Sequence, residues 1–325
     1  MTDAVPMNWI TGFWRRIGAL IIDTLILGIF GFLLGRAFES TFVEWGGLSL
    51  LVGFFVSLAY FGLMNSKLCG GQTLGKRALD IRVVDKDNQS ISFARSVLRA
   101  LILTVPAYLN GAPFPNEILT TPVAIIISTL LFGGIFATLY LYIFNRHTRQ
   151  SLHDLLVGTY VVNADVEPEQ TTQVWKFHIA LVTVVFVVAA LVPAYAATMA
   201  QQKPFKDLLT IQEAILEQQE VVLASVSIGE TVVYSDEETS RSTTYVEVHA
   251  TLNSDKTKEA DLAERIASIL VKELPEARNK DVLAINLRYG FDIGIYAQWS
   301  NYPHRFDPAE LVEAGSSGQI VNEDI

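Results

Sequence analysis

The chain has 325 residues, half of them apolar, with 18% charged, a single cysteine and a formal net charge of −10. An ordinary soluble domain carries about 25% charged residues, and the mean hydropathy here is +0.34. These figures exclude a disordered chain, a disulfide scaffold (Cys69 has no partner in the chain) and a basic nucleic-acid binder. The average hides a division. Residues 1–200 hold 13 Lys/Arg and 12 Asp/Glu, a balance of +1, and residues 201–325 hold 11 and 22, a balance of −11. A membrane part is followed by an acidic, water-soluble part.

A crossing needs about 20 mostly apolar residues. No cleavable signal peptide is expected at Met1–Met7, which is mixed and acidic. The first candidate span runs over 17–38, with Asp23 inside it, and the second over 48–65. A third, over 100–117, is weak: it contains Pro106 and runs into Asn110-Gly111. The fourth covers 122–144 and the fifth 177–200; both are uncharged.

Charge decides the third. Lys and Arg accumulate on the cytoplasmic side. If 100–117 crosses, Arg15, Arg16, the seven Lys/Arg between Lys67 and Arg99, Arg146, Arg149 and Lys176 all face inward, leaving only Arg36 outside. The expectation is therefore about five spans, with the N-terminus cytoplasmic and the C-terminal domain extracytoplasmic. The domains are 1–163 (four spans), a polar linker at 164–176, the fifth span at 177–200 and an acidic domain at 203–325. An A-x-A pattern after Pro193 imitates a cleavage site, but an uncleaved anchor is the expectation.

Three cytoplasmic or membrane features carry chemistry. Asp23 lies six residues into the first span, about 9 Å deep at 1.5 Å per residue. A carboxylate there needs a partner, a wet cavity or a proton. It is either a structural ion pair or a cation or proton site. Arg16 is seven residues earlier and hard to reach directly; Arg99 is the first expected partner and Arg95 the second.

Next comes Gly71-Gln72-Thr73-Leu74-Gly75-Lys76-Arg77. From Gly70 it imitates a phosphate-binding loop, but Arg77 stands where a Ser or Thr must bind magnesium and no strand precedes it. The reading is a cytoplasmic turn followed by a short strand around Ile81 and Val83 at the lipid surface. Finally, Asp154 opens a short apolar stretch with His153 beside it. No Cys or carboxylate set has metal-ligand spacing, so neither a metal nor a cofactor is expected.

These three pieces together resemble the RDD family of membrane proteins, named for one Arg and two Asp. They are Arg15–Asp23; Gly71–Arg77 with Ile81–Asp85 and Ser96–Arg99; and Gln150–Val162. The resemblance covers about residues 10–163. It implies that Arg16 is the family arginine, with Arg15 as the register alternative, and that Asp23 and Asp154 are the two aspartates. It implies a membrane fold more readily than an activity; transport has been suggested for members, with cation/proton exchange proposed for some. The fifth span and the long C-terminal part go beyond a bare member of the family.

That C-terminal part reads as a helix over 205–219, strands over 220–234 and 243–252, a helix from about 254 to 274, and a hairpin of 282–289 and 291–299 around Gly290. The whole chain is therefore expected to be an α-helical multi-pass bundle of about five spans plus a small α+β domain, ordered helix, two strands, helix, two strands, on an antiparallel sheet. No catalytic set is apparent, so no enzyme is expected. The leading function is transport of a cation or other small solute coupled to protons, in a bacterial plasma membrane. The alternative is a non-enzymatic anchor or envelope assembly factor whose outer domain binds a protein partner. The lipid bilayer is the expected surrounding, with no nucleic acid bound; a homo-oligomer would be needed to enclose a path through so few spans.

Overall fold

The computed structural model describes residues 9–167, 173–203, 205–233 and 241–317. The expectations for Met1–Met7, for the acidic turn at 235–240 and for 168–172 of the linker lie outside these residues. The chain divides into two compact units. The first comprises 1–38, 47–196 and 292–297, and the second 39–46, 197–291 and 298–325.

The first unit is built from apolar helices. α1 (Phe13–Trp45) leaves helical geometry at Phe38, and α2 (Leu50–Met64) follows after a short 3-10 turn. α3 (Leu74–Ala78) and β1 (Ile81–Asp85) come from the motif segment. α4 (Phe93–Leu109) is capped by Ser92, whose hydroxyl accepts from the Arg95 amide at 3.3 Å. α5 (Pro122–Ser128) and α6 (Gly134–Phe144) are continuous through a π-helical turn at Thr129–Gly133. α7 (Leu152–Val157), β2 (Thr159–Asn163) and α8 (Lys176–Ala200) complete the unit's helical and strand elements.

Three helical stretches are long and apolar enough to cross a membrane: Phe13–Met64 (which folds as α1 and α2), Pro122–Phe144 and Lys176–Ala200. Their large side chains point outward, with Leu25, Ile29, Leu33, Val184 and Leu191 all more than half exposed. Water would reject such a surface and lipid accepts it. The expected third span is α4, but it begins at Phe93 rather than Ala100 and stops at Leu109. Its 17 residues reach about 25 Å, and its first two turns carry Arg95 and Arg99.

Glycines let these helices approach. A Cβ at Gly62 would meet Val97 of α4 at 3.0 Å, and one at Gly134 would meet Pro106 at 2.5 Å. The short strand expected at Ile81 and Val83 is present, but its partner was unread in the sequence. β2 pairs antiparallel with β1, from Ile81 opposite Asn163 to Asp85 opposite Thr159. Ile10 bridges Val162, and Trp9 is buried with Val84, Tyr160 and Val162. The stretch after Asp154 is thus a helical turn and a strand rather than one short apolar run.

The second unit holds α9 (Phe205–Leu216), β3 (Val221–Val233), β4 (Arg241–Leu252), α10 (Ala260–Glu273), β5 (Val282–Asp292), β6 (Ala297–Phe306) and α11 (Pro308–Ser317). The sheet order is β3-β4-β5-β6. Ile211 and Ile215 of α9 and Leu262, Ile266 and Leu270 of α10 cover Val246, Val248, Ile285 and Leu287 of the sheet. The α+β class and the helix–strand order agree with the expectation. The purely antiparallel sheet does not: β3 and β4 are antiparallel, but β4 and β5 are parallel. The reason is α10, which carries the chain back across the sheet before β5 begins. The hairpin turn also lies later than Gly290, between Asp292 and Ala297. Gly290 remains within β5 at φ +149°, and α11 had no counterpart in the sequence reading.

Candidate functional site

Two buried aspartates organise the first unit. Asp154, at the first turn of α7, has no exposed surface. One oxygen accepts from Arg16 Nη2 at 2.6 Å. The other accepts from Arg99 Nε at 3.0 Å, Arg99 Nη2 at 2.8 Å and Thr159 Oγ1 at 3.0 Å. The same carboxylate reaches back to the Ser151 amide at 3.5 Å, which closes the capping box of α7. Arg16 also donates to the Arg149 carbonyl and sits over the Tyr142 ring at 5.0 Å.

Burial alone would raise the Asp154 carboxyl, but the charges of Arg99 and Arg16 and the hydrogen bond from Arg99 outweigh it and hold it far below the usual carboxylate range. The group stays ionised, and its charge-assisted bonds are of the strong kind. His153 is pushed down to about 3, first by burial and then by the cations Arg99, Arg16 and Lys76, against the opposing pull of Asp154. It is neutral at cellular pH, so its 3.6 Å approach to Asp154 is no ion pair. Its ring lies 3.1 Å from Ser151 Oγ.

Asp23 is 1% exposed and makes different bonds. It accepts from Tyr60 Oη at 2.7 Å, Thr73 Oγ1 at 2.6 Å and the Gly75 amide at 2.8 Å. The motif segment folds to allow this. Gly70 and Gly71 adopt φ of +68° and +75°, and a Cβ at Gly71 would meet the Val83 carbonyl at 2.4 Å. Thr73 then caps α3, accepting from the Lys76 amide at 3.2 Å while donating to Asp23. Gly75 is pressed on α1: a Cβ there would stand 2.1 Å from the Ala19 carbonyl and 2.9 Å from Asp23 Oδ1. Only glycine permits this approach.

Beside Asp23 lies a cavity of about 280 Å³, onto which Arg16, Asp23, Lys76, Arg99, Tyr142 and His153 all face. Lys76 is pushed down to about 7, first by burial and then by the charge of Arg99, with Asp23 and Asp154 pulling the other way. It is the cavity's group poised to gain or lose a proton near neutrality. The three cations exceed the two aspartates by one charge when Lys76 is protonated.

The contacts also fix directions. The starts of α1 (Arg16) and α4 (Arg99) meet the segment that follows α6 (Asp154), and the end of α2 (Tyr60) meets Asp23 and the motif turn. The start of α8 joins the same end through His178 Nδ1, 2.8 Å from Tyr140 Oη.

The structure joins the charges singled out in the sequence differently from the expectation. Arg99 does not pair with Asp23 but with Asp154. Arg95 caps the end of α7, donating to the Val157 carbonyl at 2.8 Å, and lies 3.7 Å from Asp85. Arg15 is turned away to Asn163 Oδ1 at 2.9 Å and the Leu79 carbonyl at 2.6 Å, so Arg16 is the one that reaches Asp154. Gln72 binds the Ile81 carbonyl at 3.1 Å, and Arg77 is exposed. Tyr60, Tyr142, Ser151 and Thr159 were missed. Of these, only Ser151, three residues before Asp154, carried a signal: the capping-box spacing. Among the described residues no group of three or more His, Cys, Asp or Glu could hold a metal ion.

Residues 10–158 match the model of the RDD family. The chain is similar to the uncharacterized protein YckC of Bacillus subtilis, with 27% identity over 168 residues that cover 49% of this chain and 88% of that protein. No solved structure matches the chain. Residues 10–158, a little under half of the chain, thus form an RDD-like segment, and that segment holds every ionisable side chain of the cavity.

Proposed function

We propose that the membrane unit binds and moves a small solute, coupled to protonation, with the cavity lined by Asp23, Lys76 and Arg99 as its binding site. One observation carries this reading: five ionisable side chains converge on one cavity among helices whose outer surface suits lipid. Ionisable groups are costly in such a place and are found where they serve ions, protons or solutes. Lys76 is the proton carrier in this account. Asp23 is already occupied by two hydroxyls and an amide, and three cations line the same cavity. A bare metal cation is therefore a poorer cargo than a solute carrying negative charge.

The common end shared by the starts of α1, α4 and α8 and the ends of α2 and α6 supports five crossings. The first four then alternate, and the Lys and Arg of the motif segment face the cytoplasm of a bacterial cell. The second unit lies outside the cell on this topology. A homo-oligomer would complete the path.

A second reading is an anchor or assembly factor without enzymatic activity, whose outer domain binds a protein. The second unit favours it, since it has its own core of aliphatic side chains. Asp23→Asn separates the two. Loss of solute flux with normal membrane abundance supports transport, whereas loss of abundance marks Asp23 as a structural tie. Deleting residues 203–325 is the complementary test: a carrier survives it, and a recruiter that depends on the domain does not.

A further inference from the structure

A second cleft, of about 570 Å³, opens beside the first turn of α1 and the end of α6. Its walls carry Arg15, Arg16, Arg146 and Arg149, and no acidic residue lines it. Arg16 is committed to Asp154, and Arg15 to neutral acceptors. Among the described residues, no ion pair joins Arg15, Arg146 or Arg149 to a carboxylate. Apart from Arg16, positive charge has been collected here without an ion-pair partner among the described residues.

Arg149 adds a conformational argument. Its φ is +51°, in the left-handed region where glycine would be the easy choice. Its guanidinium lies within 3.8 Å of the position a Cβ on Gly12 would take, so the strained backbone turns the side chain back onto the start of α1. The first-turn amides of α1 supply further partial positive charge. The apolar side of the same cleft is Trp14 and Ile143, which are 79% and 48% exposed. An exposed indole at the end of a membrane helix sits at headgroup level.

We propose that this cleft binds the phosphate of an anionic phospholipid, with the acyl chains running down past Trp14 and Ile143. Guanidinium forks match phosphate oxygens in pairs, and the apolar flank distinguishes a lipid from free phosphate. The site opens beside the cavity lined by Asp23 and Lys76, with Arg16 and Tyr142 in the wall common to both, and the proposal does not depend on the transport reading.

The test uses the full chain purified in detergent, with bound lipid counted by native mass spectrometry. The probes are phosphatidylglycerol, phosphatidylcholine and inorganic phosphate. The expected result is one phosphatidylglycerol retained at least tenfold more tightly than phosphatidylcholine and not displaced by excess inorganic phosphate. The double variant Arg146→Gln/Arg149→Gly should lose that preference. Lys86→Gln, an exposed cation outside the cleft, should keep it. If the double variant fails to fold, Arg146→Gln alone reads the same loss from a surface position. Equal retention of the two lipids, an unchanged preference in the variants, or displacement by inorganic phosphate would each overturn the proposal, the last by showing a site for a soluble anion.

Discussion

The first unit buries two arginines and two aspartates, and among the described residues the second buries no charge and only two polar side chains, Thr251 and Thr257. In the second, Ile, Leu, Val and Ala fill the space between helices and sheet. The hydrophobic effect holds it, at about 25 cal/mol for each Å² of apolar surface removed from water. In the first unit that force is largely lost, because lipid is as apolar as the helix surface. Specific polar ties take its place. Asp154 draws together α1, α4 and α7, and Asp23 draws α1, α2 and the motif turn. The contrast teaches where to look for function: a unit that water already holds together has no need of buried charge, and one in lipid uses its few charges both to hold its helices and to line a cavity.

Each perturbation below strikes one side of this contrast. Asp154→Asn should have the largest effect. It leaves Arg16 and Arg99 buried without their counter-charge, and breaking a buried pair costs about 3–5 kcal/mol. Little folded membrane unit should survive in detergent, as judged by size-exclusion profile and thermal melting. Ile266→Ala opens a cavity in the second unit and should cost about 3 kcal/mol. Proteolysis should find that unit first, while the membrane unit keeps its protection.

Gly75→Ala should cost about 1–3 kcal/mol, since the added methyl meets the Ala19 backbone and forces α1 and α3 apart. The same melting assay reads it. Lys76→Met should have the most informative effect, because it depends on pH. The folded state lowers the affinity of Lys76 for its proton, from 10.5 to about 7. Charging it therefore disfavours the folded state, fully below pH 7 and not at all above pH 10.5. Wild-type stability should rise with pH across this window. The variant should melt higher than wild type at pH 6, with the gap closing by pH 10.5. His153 adds to the rise only near and below pH 6.5, where the unfolded chain takes up a proton that the buried ring does not, and it does so equally in wild type and variant.

Much of the site was legible in the sequence, and its wiring was not. Asp23 stands out because charge in an apolar segment is expensive, Arg99 as its expected partner, and Arg16 and Asp154 through the family resemblance. Their pairing depends on which turns converge. Asp154 collects both arginines because α7 folds under the starts of α1 and α4, and a six-residue helix leaves little periodicity to read. Asp23 is satisfied by an amide and two hydroxyls, groups too common to flag themselves. β2 was hidden because Thr159–Asn163 runs straight into a polar linker, and its partner β1 lies more than 70 residues earlier. In the second unit every strand but one was found to within a few residues. The exception is the turn after β5, where Ile293 and Tyr296 disguise as strand a bend that Gly294 makes at φ +79°.

The central claim is that the cavity takes a solute and that Lys76 carries its proton. The direct measurement places the full chain in liposomes with a pH-sensitive dye inside, then imposes gradients of sodium, potassium, phosphate or acetate in turn. The account predicts that one gradient, most readily that of an anion, moves protons through the wild-type protein. It predicts that Lys76→Met abolishes this movement while remaining folded. Proton movement by Lys76→Met equal to wild type, or none through folded wild-type protein under any of these gradients, would contradict it.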